Sequence, residues 1–265
     1  MKKIFVISDI HGHYKEMREA LDKVGYDEKN ENHLLIVCGD CFDRGRENLK
    51  VYEYLKRLTD NNKAIVIMGN HDLMLAEYLK GEVISSWNYI HNGTNETLAD
   101  FLHQTLPFES WCVLENHCEM NEGNFGIWIE KAREMINEEY PELLTWLISR
   151  PYYYETKHYI FTHGAIDTKV EDWHEPHCYR YAYTDWKALT WSDGSFFDSD
   201  IKNTDKTVVI GHFGTEQLRK MYGYSQNRNP LGEYDILRRK DGKVIAIDST
   251  VVVSKKINVL VVEDE

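Results

Sequence analysis

Three short apolar runs, each closed by a turn carrying acidic or imidazole side chains, constrain this chain more than any other feature of its sequence. The runs are Lys3-Ile4-Phe5-Val6-Ile7, Leu34 to Cys38 and Ala64 to Met68. Each has the length and the branched side chains of a strand buried on both faces. Met17, Ala20, Leu21 and Val24 recur at helical spacing after the first run, with Gly25 as a stop. Val51, Tyr52, Leu55 and Leu58 mark a second helix, and a third is expected from Asn70 to about residue 80. The order β-α-β-α-β-α belongs to the α/β class: a parallel sheet with helices on its faces.

The turns share one construction. They are Ser8-Asp9-Ile10-His11-Gly12-His13, then Gly39-Asp40-Cys41-Phe42-Asp43-Arg44-Gly45, then Gly69-Asn70-His71-Asp72. In open α/β sheets ligands gather beyond the carboxyl ends of the strands, so these turns should meet at one edge. Thr162-His163-Gly164 and Gly211-His212-Phe213-Gly214 also follow expected strands and add two imidazoles. Asp, His and Asn suit Mn, Fe or Zn. Two close ions need a bridging carboxylate, which Asp40 is placed to be. Such a pair generates a hydroxide nucleophile near neutral pH and clamps the oxygens of an in-line phosphoryl displacement. Arg44 suits phosphate oxygens through its planar fork. His71, held by an acidic partner, suits protonation of the leaving oxygen.

Strand alternation pauses after Gly81. Residues 82–150 read as helical, and are expected to form a cap insertion beside the cleft of a single domain spanning 1–265; an ordinary helical part of the same core is the alternative. From residue 152 the expected strands are Tyr152-Glu155, His158-Thr162, Thr207-Ile210, Tyr234-Leu237, Val244-Asp248 and Ile257-Val262, with a hairpin around Asp241-Gly242. The second half is therefore mixed or antiparallel β. The terminal Glu-Asp-Glu reads as a solvated tail.

Composition narrows the function classes. Lys and Arg total 31 against 44 Asp and Glu, a net charge of -13, which disfavours non-specific nucleic-acid binding. A phosphate-bearing substrate remains compatible, because bound cations supply local positive charge. No apolar stretch is long enough for a membrane span or a signal-peptide core, so no membrane partner is expected. Five cysteines, odd and sparse, point to reduced thiols and a cytoplasmic location. Cys38 and Cys41 are CxxC-spaced but read as small packing residues. Two further groups, His103 with Cys112, His117 and Cys118, and His174 with His177 and Cys178, lack paired metal-binding spacing.

The turn motifs resemble the phosphoprotein phosphatase family of calcineurin-like metallophosphoesterases. Its pattern is DxH, GDxxDRG, GNH[DE] and two later histidines; here it reads Asp9-Ile10-His11, Gly39 to Gly45, Gly69 to Asp72, His163 and His212, in that order. The resemblance spans roughly residues 4–215. It implies a four-layer α-β-β-α sandwich, with the remaining strands in its second sheet. It also implies two divalent ions, Mn first and Fe or Zn as alternatives. Asp9, His11 and Asp40 would hold one ion, and Asp40, Asn70, His163 and His212 the other. Asp43 would pair with His71, and Arg44 would hold phosphate.

Two departures concern the substrate. The family commonly has a second phosphate-binding Arg after a Trp; here Trp191 is followed by Ser192-Asp193-Gly194, and Arg180 is a nearby candidate substitute, with a surface arginine as the stronger alternative. A usual Thr-Pro after the last histidine is Phe213-Gly214. The retained Asp43-Arg44 pair favours a Ser/Thr or dual-specificity protein phosphatase acting on phosphorylated proteins or small phosphoesters. The GNHD ending favours the alternative, a symmetrical bis(5'-nucleosyl)-tetraphosphatase or related pyrophosphohydrolase. A metal-dependent binding module without turnover would be expected to lose His71, Arg44 or a ligand, and none is missing.

Overall fold

Successive residues of β1 (Lys2–Ile7) face two different cores. Phe5 and Ile7 pack against helices, while Ile4 and Val6 face a second sheet. β2 (His33–Cys38) repeats the pattern, with Leu35 and Val37 on one side and Leu34, Ile36 and Cys38 on the other. Burial on both faces is why these segments read as continuous apolar runs. Each such side chain, fully buried, contributes roughly 1.5–3 kcal/mol.

The structure is a computed structural model that describes residues 2–82, 89, 91–102, 122–168, 173–174, 187–224 and 230–264. β1, β2 and β3 (Ala64–Ile67) are parallel, as the β-α-β order requires. The second sheet runs β4-β5-β6-β8-β7, built from β4 (Tyr153–Glu155), β5 (Tyr159–Thr162), β6 (Thr207–Ile210), β7 (Leu237–Arg238) and β8 (Val244–Ala246). Its centre is parallel and its two edges antiparallel, so the mixed reading of the second half holds. Gly242, at φ 74°, lies in the turn between β7 and β8.

Among the described residues between β1 and β4 lie α1 (Tyr14–Lys23), α2 (Asn48–Asp60), α3 (Asn70–Lys80), α4 (Thr94–Leu102), α5 (Glu122–Glu139) and α6 (Leu143–Ile148). They share one core with the outer face of the first sheet, where Leu98, Phe101, Ile136 and Trp146 join Phe5 and Leu35. Across the molecule, Trp173, Phe196, Phe197 and Leu218 cover the outer face of the second sheet. The layers are therefore α-β-β-α, as the resemblance implied.

Three local expectations are corrected. Pro230–Tyr234 is a 3-10 helix where a strand was expected to begin, because the carbonyls of Glu233, Asp235 and Ile236 accept from Arg219 and that of Tyr234 from Asn258. The last strand, β9 (Leu260–Asp264), pairs antiparallel with β1 in the first sheet, not the second. Asp264, expected in a solvated tail, is only 2% exposed. Its carboxylate accepts from the Thr156 hydroxyl at 2.6 Å and from the backbone N–H of His158 at 2.9 Å.

Candidate active site

The turns beyond β1, β2 and β3 are tied into one unit by their own backbone. The Asp9 N–H donates to the Gly39 carbonyl, His11 N–H to Asp40, and Gly12 N–H to Cys41, each near 3 Å. Asp72, fully buried, fastens the third turn to the second by accepting from the backbone N–H groups of Asp40 (2.9 Å), Cys41 (3.0 Å) and Gly69 (3.0 Å). Arg150, at the end of α6, balances its charge at 3.2 Å and stacks on Trp146.

This packing holds Asp9, His11, Asp40, Asp43, Arg44 and His212 in the left-handed backbone region, with φ between 45° and 73°. Each such residue costs about 1–3 kcal/mol and persists only where its surroundings over-determine it. Gly39, at φ 78°, is required by close approach as well. A Cβ there would lie 2.6 Å from His163 Nδ1 and 2.7 Å from Gly69 Cα.

The side chains converge around Asp40, which is 2% exposed. Its Oδ1 lies 3.2 Å from His163 Nε2, and its Oδ2 lies 3.6 Å from His11 Nε2 and 3.9 Å from His71 Nε2. Asn70 Oδ1 lies 3.1 Å from His163 Nε2, and His212 Nδ1 lies 3.2 Å from the same nitrogen. Ligand atoms of Asp40, His163 and His212 fall within 4.8 Å of one another, as do those of His11, Asp40 and His71.

Donor chemistry and orientation both fit divalent cations. His11 Nδ1 donates to the Phe42 carbonyl at 2.8 Å, and His163 Nδ1 to that of Cys38 at 2.7 Å, so each ring turns Nε2 to the cluster. His71 differs, because its Nδ1 meets the Asp43 carboxylate at 2.7 Å. Arg44 bridges the two neighbouring rings, donating to His11 Nε2 and His71 Nε2 at 2.9 Å each.

Nine of the expected site residues are thus brought together; Arg180 lies outside the described residues. Asp9 is in the cluster but differently engaged. Both its carboxylate oxygens accept from the His212 N–H, at 3.1 and 3.0 Å, so it couples the two sheets. His13 donates from Nδ1 to the His11 carbonyl, behind the cluster. Cys38 and Cys41 are buried, and burial raises both thiols well above their usual range, as suits packing residues. His174 contacts Glu155, while its suggested partners His177 and Cys178 lie outside the described residues, as do His103, Cys112, His117 and Cys118. Sequence reading missed Asn48, whose Oδ1 accepts from the Asp43 N–H, and Thr97, whose hydroxyl meets Asp43. Neither lies in a motif.

The cluster is electrostatically divided. Burial opposes charge on Asp40, yet the His163 and His71 rings hold its carboxyl well below the usual range. Burial works against the His163 imidazolium, but Asp40 lifts it to about 10. Burial pushes Asp9 up to about 6, with Asp40 adding to the rise and His163 opposing it. Burial, then Arg44 and His71, holds His11 well below its usual range; burial and His163 push His212 down to about 3. As ligands, neutral His11 and His212 would be ready, whereas His163 would first lose a proton. Cation binding should therefore strengthen as pH rises. It should expel one proton between about pH 6 and 10, and a second, from Asp9, below about 6. Calorimetric titration with Mn²⁺ in buffers of different ionisation enthalpy counts these protons. Binding without proton release in the upper window would remove His163 from the ligand set.

The calcineurin-like phosphoesterase family matches the chain over residues 2–247. The chain belongs to that family. Membership supports hydrolase chemistry and implies divalent metal ions, for which candidate ligands are present. Over 78 residues it is 40% identical to the symmetrical bis(5'-nucleosyl)-tetraphosphatase of Nitrosospira multiformis, covering 29% of this chain and 27% of that protein. Over 123 residues it is 33% identical to the asymmetrical bis(5'-nucleosyl)-tetraphosphatase PrpE of Bacillus subtilis, covering 44% and 48%. The matches thus span about a quarter to a half of these curated relatives. A cold-active protein-tyrosine phosphatase of a Shewanella species shares the fold with a TM-score of 0.58 at 18% identity, covering 99% of this chain and 76% of that one. Among the described residues, no helix is long and apolar enough to cross a membrane.

Proposed function

We propose that the chain hydrolyses the phosphoanhydride bond of dinucleoside polyphosphates, with bis(5'-nucleosyl) tetraphosphates as the preferred class. The names of the curated relatives carry this reading over the protein phosphatase that the Asp43-Arg44 pair first suggested. Asp9, His11, Asp40, Asn70, His163 and His212 would hold two divalent ions, with Mn²⁺ first. Such ions supply Lewis acidity and lower the pKa of water. Arg44 holds the phosphate. His11 Nε2 could not serve a cation and Arg44 together, so in the metal-loaded protein Arg44 would turn to phosphate oxygens and His71 Nε2 would be available to hold a proton. Asp43 fixes the His71 ring so that this proton points into the cluster. Of the expected cap, residues 83–88, 90 and 103–121 lie outside the described residues; its described helices α4 to α6 pack on the core of the first sheet and would border the cleft within one domain.

A second reading, hydrolysis of phosphate monoesters including phosphoserine, is favoured by the buried 2.7 Å Asp43–His71 contact. An alkoxide leaving group needs a proton; a nucleotide phosphate departs with little help. Comparing kcat/KM for diadenosine tetraphosphate, a phosphoserine peptide and nitrophenyl phosphate under Mn²⁺ separates the readings. Equal products from the tetraphosphate mark symmetrical cleavage, unequal ones asymmetrical cleavage. Tetraphosphate hydrolysis far below that of the phosphopeptide would overturn the first reading.

Arg44→Ala should keep both ions, since a guanidinium is not a ligand. It should raise KM and lower kcat, on the order of 10²–10³-fold in kcat, because its hydrogen bonds strengthen as charge develops on the transferred group. Metal content by elemental analysis beside the kinetics checks this; loss of metal would show the residue misplaced.

A further inference from the structure

We infer that Thr97, assisted by Thr94, is a positioning residue for proton transfer by His71, acting through Asp43. The inference rests on the role given to His71 above and extends it to the first turns of α4.

Asp43 is fully buried and sits at φ 73°, so neither its backbone nor its carboxylate is held by solvent. One hydroxyl reaches both, sharing the Asp43 N–H with Asn48 Oδ1. Thr97 Oγ1 accepts the Asp43 N–H at 2.9 Å and donates to Asp43 Oδ1 at 2.7 Å. The other carboxylate oxygen, Oδ2, receives the His71 Nδ1 proton at 2.7 Å and the Thr94 hydroxyl at 3.3 Å. Thr97 therefore occupies the oxygen that His71 does not use, and fixes the plane of the carboxylate on which the imidazole rests. Backbone contact enforces the arrangement: a Cβ on Gly93, just before α4, would lie 2.5 Å from Arg44 N. The helix is itself anchored to α2, where the Leu49 N–H donates to Asp100 at 2.8 Å.

These contacts give α4 a part in the chemistry. Among the described residues, the hydrogen bonds of the Thr97 hydroxyl go to Asp43 and to none of the candidate ligands, so its removal should act chiefly on the leaving-group proton. Thr97→Val keeps the shape and removes the hydroxyl. It should lower kcat for an alkyl phosphate roughly 10–100-fold, the usual effect of losing an outer partner that orients a working side chain. Nitrophenyl phosphate, whose leaving group needs no proton, should be affected much less, and KM should change for neither. Thr97→Ser should restore the alkyl rate, and Thr94→Val should show a smaller form of the same selectivity, given its longer bond. If Thr97→Val does not fold, Thr97→Ala carries the same comparison; metal content and a thermal melt accompany each variant.

His71→Asn, measured in parallel, separates two failures. Leaving-group selectivity in His71→Asn but not in the Thr97 variants would overturn this inference alone. Equal slowing of both substrates by His71→Asn would overturn the role of His71 and this inference with it. Failure of serine to rescue would make Thr97 merely structural.

Discussion

Asp40→Asn should strip the centre of metal while leaving the protein folded. Asp40 Oδ1 accepts the backbone N–H of His71 at 3.0 Å, and an asparagine carbonyl can keep that bond. What the amide cannot supply is negative charge. Among the described residues Asp40 is the carboxylate within reach of His11, His71 and His163 together, and it belongs to both groups of converging ligand atoms. Losing that charge should lower metal affinity by more than the roughly 10–100-fold that loss of even an outer partner costs. Both ions should weaken together, and activity with them. Metal content after dialysis, beside a melting curve, reads the outcome. One ion retained at full strength would show that Asp40 does not bridge. Asp40 also sustains the charge on His163, so the variant should release fewer protons on loading.

His71→Asn should separate substrates by leaving group. Nδ1 is fixed by Asp43, and Nε2 faces the cluster 3.9 Å from Asp40. A serine alkoxide departs poorly without a proton, whereas nitrophenolate and a nucleotide phosphate depart readily. General acid catalysis typically contributes 10²–10⁴-fold. Loss in about that range is expected for alkyl phosphates, with much smaller losses for nitrophenyl phosphate and dinucleoside tetraphosphate. Asp43→Asn should repeat the pattern more mildly, since it only supports the ring. Rates must be compared at saturating metal, because His71 follows Asn70 in the same turn. Equal slowing of all three substrates would make His71 electrostatic or structural.

Local sequence determined the strand-turn-helix units of the first half. Apolar runs, helical spacing and polar turns are all encoded within a few residues, and the backbone obeys them at β1, β2, β3 and the helices that follow. The residues that converge were equally legible, because Asp9, His11, Asp40, Asn70, His163 and His212 all lie in the few residues after a strand. Tertiary structure alone decided how these groups hold one another. His163 is oriented by the Cys38 carbonyl 125 residues away, and Asp9 meets the His212 N–H across 203 residues. Thr97 reaches Asp43 across 54 residues from a helix whose own pattern announces only a buried face. β9 joins the first sheet because Leu260 and Val262 complete the core between the sheets, a requirement that its own alternation shares with any half-buried strand. Periodicity records which face of an element is buried. It carries no record of what that face is buried against, and that choice set the register, the ring orientations and the buried hydrogen bonds of the site.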